Sequence, residues 1–184
     1  MKNIVVIDAS PRKGGNTDVM TDAVVASLEA AGASVTRCHI RDAKIRPCLG
    51  CNACKGASYT CVQKDDMPAL VEALSDADGI VFASPIYFGY ITGPAKVFID
   101  RLYCLFNPAK GMLARKTGKK VGVVLCSNAP ADYSAVSEML NGAFAICGAG
   151  DRQTLLANGL AAGPAKDNAD LLAKAADLGK WIVE

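Results

Sequence analysis

The sequence predicts an α/β domain built on a parallel β-sheet. Short apolar runs alternate with helix-length segments five times along its 184 residues, which is the pattern of repeated strand–helix units. Three of the five runs are apolar throughout, as strands covered on both faces require. The other two carry charged or polar residues, which suits the edges of a sheet.

The elements are predicted as follows. The strands are 3–8, 34–40, 79–84, 120–126 and 152–157, and the helices are 17–31, 68–75, 94–106, 132–147 and 164–183. Strands two and five are the polar ones, so the sheet order 2-1-3-4-5 is expected, in a flavodoxin-like three-layer sandwich. We expect a single domain over 1–184, with a cysteine-rich loop insertion (41–66) after strand two. That stretch is too long for a routine connection, and such loops are usually functional.

Composition narrows the function classes. The net charge of +2 gives no long-range reason to expect nucleic acid or an anionic membrane as a partner. No apolar run approaches the roughly 20 residues that span a bilayer, and the first residues resemble a strand more than a cleavable signal. We therefore expect a cytoplasmic protein, in which the eight cysteines are thiols or metal ligands and not disulfides.

The turn ASPRKGGNT (9–17), after strand one, has the composition of an anion site. The start of the next helix offers unpaired N–H groups and a partial positive charge, and Gly14 and Gly15 allow the backbone to curl close to a bound group. Side-chain donors suited to a terminal phosphate come from Ser10, Arg12, Asn16 and Thr17.

Absent motifs narrow the ligand further. Without G-K-[ST] the turn is not a triphosphate P-loop, and without G-x-G-x-x-G it does not suit a dinucleotide held in Rossmann fashion, so a mononucleotide fits better. The alternative is an ordinary capped helix start, with Asn16 or Thr17 as N-cap and Arg12 in solvent. Capping alone does not call for Ser10 and the two glycines.

Two further loops are predicted to line the same crevice, because the strand order reverses between strands one and three. SPIYFGYITGPAK (84–96) supplies aromatic side chains that suit a planar ring, or that instead cover the sheet edge or a subunit contact. CSNAP (126–130) follows strand four. It is either a second wall for that ring or an ordinary polar turn.

Half of the cysteines lie within one short stretch. Cys48, Cys51, Cys54 and Cys61 form C-x2-C-x2-C-x6-C. Two consecutive x2 gaps gather three thiolates round one small volume, as a [4Fe–4S] cluster needs, and the fourth can close the set. Zinc sites more often pair C-x2-C units across a longer spacer. A cluster, zinc and free thiols are the three alternatives.

SPRKGGNT together with SPIYFGYITGPAKVFIDR resembles the flavodoxin-like NAD(P)H-dependent FMN reductase family, and CLGCNACKGASYTCVQKDDM resembles its iron–sulfur flavoprotein branch. The resemblance covers nearly the whole chain and implies FMN as cofactor. The cofactor-binding residues it implies are Ser10, Arg12, Gly15, Asn16 and Thr17 in the phosphate turn, and Pro85, Ile86, Tyr87, Phe88, Gly89, Ser127 and Asn128 around the ring.

The resemblance also implies an activity. Electrons would pass from NAD(P)H or a reduced ferredoxin-type carrier to a small-molecule or protein acceptor, through a [4Fe–4S] cluster if the cysteines hold one. A homodimer or homotetramer is implied as well. No catalytic acid, base or nucleophile is assigned, because the cofactor performs the chemistry. The alternative is a flavodoxin-like electron carrier without its own turnover. The slightly basic chain argues against that alternative, since carriers of that kind use acidic docking surfaces.

Overall fold

A computed structural model of the chain describes residues 1–56 and 61–184. Its strands are β1 Asn3–Asp8, β2 Ser34–His39, β3 Gly79–Tyr87, β4 Tyr90–Ile91, β5 Phe106–Asn107, β6 Gly111–Met112, β7 Lys119–Cys126 and β8 Ala149–Ala157. Five of them form a parallel sheet in the order β2-β1-β3-β7-β8. This is the predicted order 2-1-3-4-5, and the flavodoxin-like class is confirmed.

Helices cover both faces of the sheet. They are α1 Asn16–Ala30, α2 Met67–Asp76, α3 Gly93–Arg101, α4 Ser134–Ala145 and α5 Ala169–Val183. One apolar cluster joins the sheet to α2, α3 and α4, and a second joins its other face to α1 and α5. Three layers result, as predicted. Within the described residues, no helix has both the length and the hydrophobicity of a transmembrane segment.

The central strands are apolar because each feeds both clusters. In β1, Ile4 and Val6 pack toward α1 and α5, while Val5 and Ile7 pack toward the opposite layer. Successive side chains of a strand point to opposite faces, so a doubly covered strand has no polar side. Most of the edge strand β8 is exposed. The polar residues of strands two and five therefore predicted the edges of the sheet correctly.

Several predicted boundaries are wrong, and local hydrogen bonds explain why. The predicted helix 94–106 ends at Arg101 and continues as a 3-10 turn, because Phe106 pairs with Met112 in a small hairpin. The predicted helix 164–183 begins only at Ala169, where the Asn168 side chain caps it. The predicted helix 132–147 is shorter at both ends.

Candidate functional site

One cleft opens at the carboxyl ends of β1, β3 and β7. All three predicted loops contribute to its walls, at the place where the strand order reverses. Eight of the predicted cofactor-binding residues line it, namely Arg12, Asn16, Thr17, Pro85, Ile86, Tyr87, Ser127 and Asn128. The topology thus brings together residues that lie up to 116 positions apart in the sequence, from Arg12 to Asn128.

The helix α1 begins at this cleft without a side-chain cap. Gly15 occupies the N-cap position, and no side chain accepts a hydrogen bond there. The Asn16 side chain instead accepts the N–H of Ala165 at 3.0 Å, which ties the turn to the segment before α5. The alternative in which Asn16 or Thr17 caps the helix is therefore wrong. The first-turn N–H groups, which lack intrahelical partners, stay available to a ligand.

The two glycines of the turn play different parts. Gly14 has φ +68°, in the left-handed region that favours glycine. Gly15 has φ −78°, and a Cβ there would meet the Cβ of Arg12 at an ordinary 3.7 Å. Only Gly14 therefore has a backbone conformation that other residues rarely adopt, while the close approach of Gly15 to a bound group stays a prediction.

Ser10 shapes the turn from below. Its hydroxyl donates to the carbonyl of Arg12 at 2.9 Å and accepts the N–H of Arg12 at 3.3 Å. Ser10 is buried and does not line the cleft. The Arg12 side chain is exposed and has no acidic partner among the described residues. The guanidinium is thus free to meet an anion, whereas the predicted ligand hydroxyl of Ser10 is already used.

The aromatic loop is a hairpin formed by β3 and β4. Its tip, Phe88 and Gly89, has positive φ values of +51° and +78°, and neither residue lines the cleft. Phe88 is fully exposed. A bulky residue in the left-handed region costs about 1 kcal/mol, and such strain concentrates at functional sites.

The far wall of the cleft includes two residues outside the predicted set, Cys126 and Leu160. Burial raises the pKa of the Cys126 thiol to about 12, so this side chain is a neutral, apolar wall. Leu160 lies in the loop after β8, which has no motif. The only available signal was that this loop leaves the same edge of the sheet.

A buried carboxylate lies beneath the turn, and sequence analysis missed it. Asp8, the last residue of β1, accepts the N–H of Ser10 at 3.1 Å and pairs with the Arg37 guanidinium at 2.8 Å. Burial, only partly offset by Arg37, raises the pKa of Asp8. The Nδ1 atom of His39 lies 3.4 Å from the same carboxylate.

A second carboxylate supports the other end of the turn. Asp18, in the first turn of α1, accepts the N–H of Gly14 at 2.7 Å and pairs with Arg41 at 3.0 Å. Burial acts in the opposite direction, but the hydrogen bonds from Gly14 and Arg41 prevail and lower the pKa of Asp18. Both ends of the turn are therefore fixed by charged side chains.

These groups form an ion-pair network and not a metal centre. Ligand atoms of Asp8, Asp18 and His39 lie within 4.8 Å of one another, the spacing of a metal site. However, the guanidinium groups of Arg37 and Arg41 already neutralise the two carboxylates. A cation would have to displace both arginines.

Comparison with known proteins identifies the family. Residues 2–161, most of the chain, match the NADPH-dependent FMN reductase family. The chain belongs to this family. It is therefore an FMN-dependent oxidoreductase, and the predicted enzyme class and FMN cofactor are confirmed.

Individual relatives agree with this family. An iron–sulfur flavoprotein of Archaeoglobus fulgidus is 33% identical over 184 residues, which is 100% of this chain and 80% of that protein. The solved NAD(P)H:quinone oxidoreductase from Methanothermobacter marburgensis has a TM-score of 0.78 at 13% identity, covering 100% of this chain and 98% of that chain. An FMN-dependent NADH-azoreductase from Bacillus anthracis in complex with FMN has a TM-score of 0.72 at 16% identity, covering 100% and 98%. At such identities the two solved structures show a shared fold.

The four predicted metal ligands of this FMN reductase-family chain form no disulfide. Cys48 and Cys51 are exposed, Cys54 and Cys61 are partly buried, and residues 57–60 between the last two lie outside the described residues. Four thiolates on one zinc ion would stand about 4 Å apart, given Zn–S bonds of about 2.3 Å in a tetrahedron. Among the described residues, no three cysteine sulfurs lie within 4.8 Å of one another. A metal ion or cluster would have to draw these thiols together.

A buried ion pair anchors the far end of the cysteine-rich insertion. The Arg101 guanidinium, at the end of α3, holds both oxygens of Asp65 at 2.6 and 3.0 Å and donates to the carbonyl of Arg46 at 2.7 Å. The two charged side chains are only 1% and 3% exposed. The hydrogen bonds from Arg101 outweigh burial and lower the pKa of Asp65 to about 2.

The middle of the insertion is held through Lys55, next to Cys54. Its ammonium group donates to the carbonyls of Tyr103 and Phe106 and lies 3.4 Å from the centre of the Tyr103 ring. The Asn107 side chain donates to the carbonyl of Lys55 at 3.3 Å. The insertion is thus held through Lys55 and Asp65, and the thiol of Cys61 also interacts with the Arg101 guanidinium.

Proposed function

We propose that the cleft binds FMN with the phosphate at the start of α1. The observation that carries this proposal is an uncapped helix start beside an exposed arginine, Arg12, that has no acidic partner among the described residues. Free N–H groups at a helix start attract anions, and a guanidinium adds charge-assisted hydrogen bonds. Asn16 and Thr17 line the same corner and add polar groups.

The ring of FMN would lie between two walls of the same cleft. Pro85, Ile86 and Tyr87 form one wall, and the turn Ser127-Asn128 forms the other. Tyr87 is partly exposed and supplies flat apolar surface. Because Phe88 and Gly89 lie at the hairpin tip, we assign the ring contacts to the three residues before them.

The residues of this chain bind and orient the cofactor. Bound FMN supplies one- and two-electron redox chemistry. The neutral thiol of Cys126 excludes water from its side of the cleft and has too little thiolate to act as a nucleophile. We propose that NAD(P)H or a reduced ferredoxin-type carrier donates the electrons and that a small molecule or protein accepts them.

We also propose that the insertion ligates a [4Fe–4S] cluster through Cys48, Cys51, Cys54 and Cys61. None of the four is in a disulfide, so all four sulfurs can act as iron ligands. Two consecutive x2 gaps favour a cluster, because zinc sites more often pair C-x2-C units across a longer spacer. We expect the protein to act in the cytoplasm as a homodimer or homotetramer, with the exposed side chains of Leu49 and Phe88 as candidate contacts.

A double substitution tests the phosphate assignment. Arg12→Ala together with Thr17→Ala removes a charged and a hydroxyl donor, so we expect FMN affinity to fall about tenfold or more, measured by fluorescence titration of flavin-depleted protein. Lys174→Ala is the control, because Lys174 is an exposed cation on α5 that lines neither the cleft nor the pocket beside the turn. Unchanged FMN affinity in the double variant, with folding intact by circular dichroism, would contradict the assignment.

Two measurements separate enzyme from carrier and cluster from zinc. Steady-state NAD(P)H oxidation with an added acceptor is expected to turn over, whereas a pure carrier would be reduced slowly or not at all. An anaerobic absorption spectrum with iron and sulfide analysis is expected to show about four of each per chain. Stoichiometric zinc, or neither metal, would overturn the cluster proposal while leaving the flavin site intact.

A further inference from the structure

The turn between β1 and α1 is fixed by carboxylates at two backbone N–H groups. Asp8 accepts from Ser10 at 3.1 Å, and Asp18 accepts from Gly14 at 2.7 Å. Here the shape of the turn, and hence of the anion site, depends on side chains that do not line the cleft.

We propose that Asp18 is a positioning residue for the phosphate of FMN and that Arg41 holds Asp18 in place. The proposal rests on the FMN site proposed above. Asp18 fixes Gly14 at the point where the backbone enters its left-handed conformation, φ +68°. The direction in which the chain leaves Gly14 sets where the first N–H groups of α1 are presented.

The position of Asp18 needs Arg41 for an electrostatic reason. A carboxylate in the first turn of the helix would repel a phosphate bound at the same helix start. The Arg41 guanidinium lies 3.0 Å from that carboxylate and 3.4 Å from the carbonyl of Ser10. Since both side chains are largely buried, water screens this pair little. Arg41, which also lies 3.8 Å from the exposed Asp42, therefore offsets the charge of Asp18 while leaving the hydrogen bond to Gly14 intact.

The pair also links two regions of the chain. Arg41 is the first residue of the cysteine-rich insertion, and Asp18 belongs to the helix that presents the anion site. The start of the insertion and the base of the phosphate turn are thus joined by this ion pair. A change at Arg41 is expected to reach the cofactor, although Arg41 does not line the cleft.

The test compares FMN with riboflavin, which has the same ring and no phosphate. Dissociation constants of both are measured on the flavin-depleted full chain, at matched iron content. In Asp18→Ala the preference for FMN over riboflavin is expected to fall about tenfold, because Gly14 loses its acceptor. Asp18→Asn keeps one oxygen acceptor for Gly14 but loses the charge that faces Arg41, so its preference is expected to fall between those of wild type and Asp18→Ala. Glu29→Ala, exposed in the last turn of the same helix, is the control and is expected to change nothing.

The outcomes separate this inference from the proposed function. If wild type binds both flavins equally, the phosphate site itself is wrong, and this inference falls with it. If wild type prefers FMN and Asp18→Ala keeps that preference, or loses affinity for both flavins equally, only the positioning role is wrong. Should Asp18→Ala not fold, Asp18→Glu keeps the charge but moves the acceptor by one methylene. It is expected to lose at least about threefold of the preference, and an unchanged preference would overturn the role.

Discussion

The turn after β1 and the insertion after β2 each offer donor groups to a ligand, yet they hold those groups differently. In the turn, buried carboxylates fix the backbone at Ser10 and Gly14, so the anion site is shaped in advance. In the insertion, Cys48 and Cys51 are exposed and no three cysteine sulfurs of the described residues lie within 4.8 Å of one another. Metal ligands that are not preformed are gathered by the metal itself, and its binding energy then contributes to folding.

The insertion is nevertheless fixed where it leaves and rejoins the fold. Arg41 pairs with Asp18 at its start, and Asp65 pairs with Arg101 near its end. Ion pairs at both ends, with cysteines between them that form no disulfide, would suit a segment that binds a metal ion or cluster. The turn has no such freedom, which suits a phosphate of fixed shape.

The largest expected difference is in the reactivity of thiols, between Cys126 in the wall of the cleft and the exposed Cys48 and Cys51 of the insertion. Because burial raises the pKa of Cys126 to about 12, only about one molecule in ten thousand carries its thiolate at pH 8. In iron-free protein, we expect iodoacetamide to alkylate Cys48 and Cys51 at least about a thousand times faster than Cys126. Peptide mass spectrometry measures the rates. They should converge in urea, and similar rates in the folded chain would contradict the burial of Cys126.

The next largest effect tests the anchor of the insertion. Asp65→Ala leaves the Arg101 guanidinium buried without its partner, which is expected to lower the free energy of unfolding by about 3–5 kcal/mol. Asp76→Ala is the matched control, because Asp76 pairs with Arg115 in the same way but with both side chains about half exposed. That control is expected to cost far less, because water screens an exposed ion pair. Urea unfolding measures both, and equal losses would contradict the special role of burial.

The same anchor has a predictable dependence on pH. The pKa of Asp65 is lowered to about 2 in the folded chain, so its stabilisation is complete above the ordinary pKa near 4 and is lost as the pH falls toward 2. The difference in unfolding free energy between wild type and Asp65→Asn should therefore shrink by about 2 kcal/mol across that interval. A difference that stays constant from pH 5 to pH 2 would show that the pKa is not lowered.

The smallest effect concerns the tip of the hairpin, where Phe88 has a left-handed backbone conformation and a fully exposed side chain. Phe88→Gly puts a residue without a Cβ at a left-handed backbone position and removes only a fully exposed side chain. The free energy of unfolding should therefore rise by about 0.5–1 kcal/mol, measured by thermal unfolding. Gly89→Ala is the mirror test, since φ is +78° there and nothing lies within 4 Å of an added Cβ. It should lose about 1 kcal/mol. A stabilising Gly89→Ala would contradict the conformation of the tip.

The sequence predicts the five strands of the parallel sheet, their order and most of the cleft, because those depend on apolar runs and on where strands end, but it does not predict the short strands β4, β5 and β6. It does not predict helix ends that side-chain caps decide, as at Asn168. It also misses Asp8 and Asp18. An acidic residue at a strand end or in the first turn of a helix has ordinary explanations, and the arginines that reveal their roles come from another strand and another loop.

The spacing of the cysteines predicts a ligand set but not its geometry, since the geometry depends on the metal. The sequence likewise does not predict what each residue of the turn does. Ser10 and Arg12 look equivalent as donors, yet the hydroxyl is consumed inside the turn and the guanidinium is not. Such divisions of labour depend on backbone direction, which residue type alone does not fix.

The most direct test of the central claim, that the phosphate of FMN binds at the start of α1, is a pair of amide NMR titrations with FMN and riboflavin. The amide chemical-shift changes that FMN causes and riboflavin does not are expected to concentrate in residues 12–18. Shifts that are the same for the two flavins, or that differ only near the hairpin tip and the turn 127–128, would contradict it.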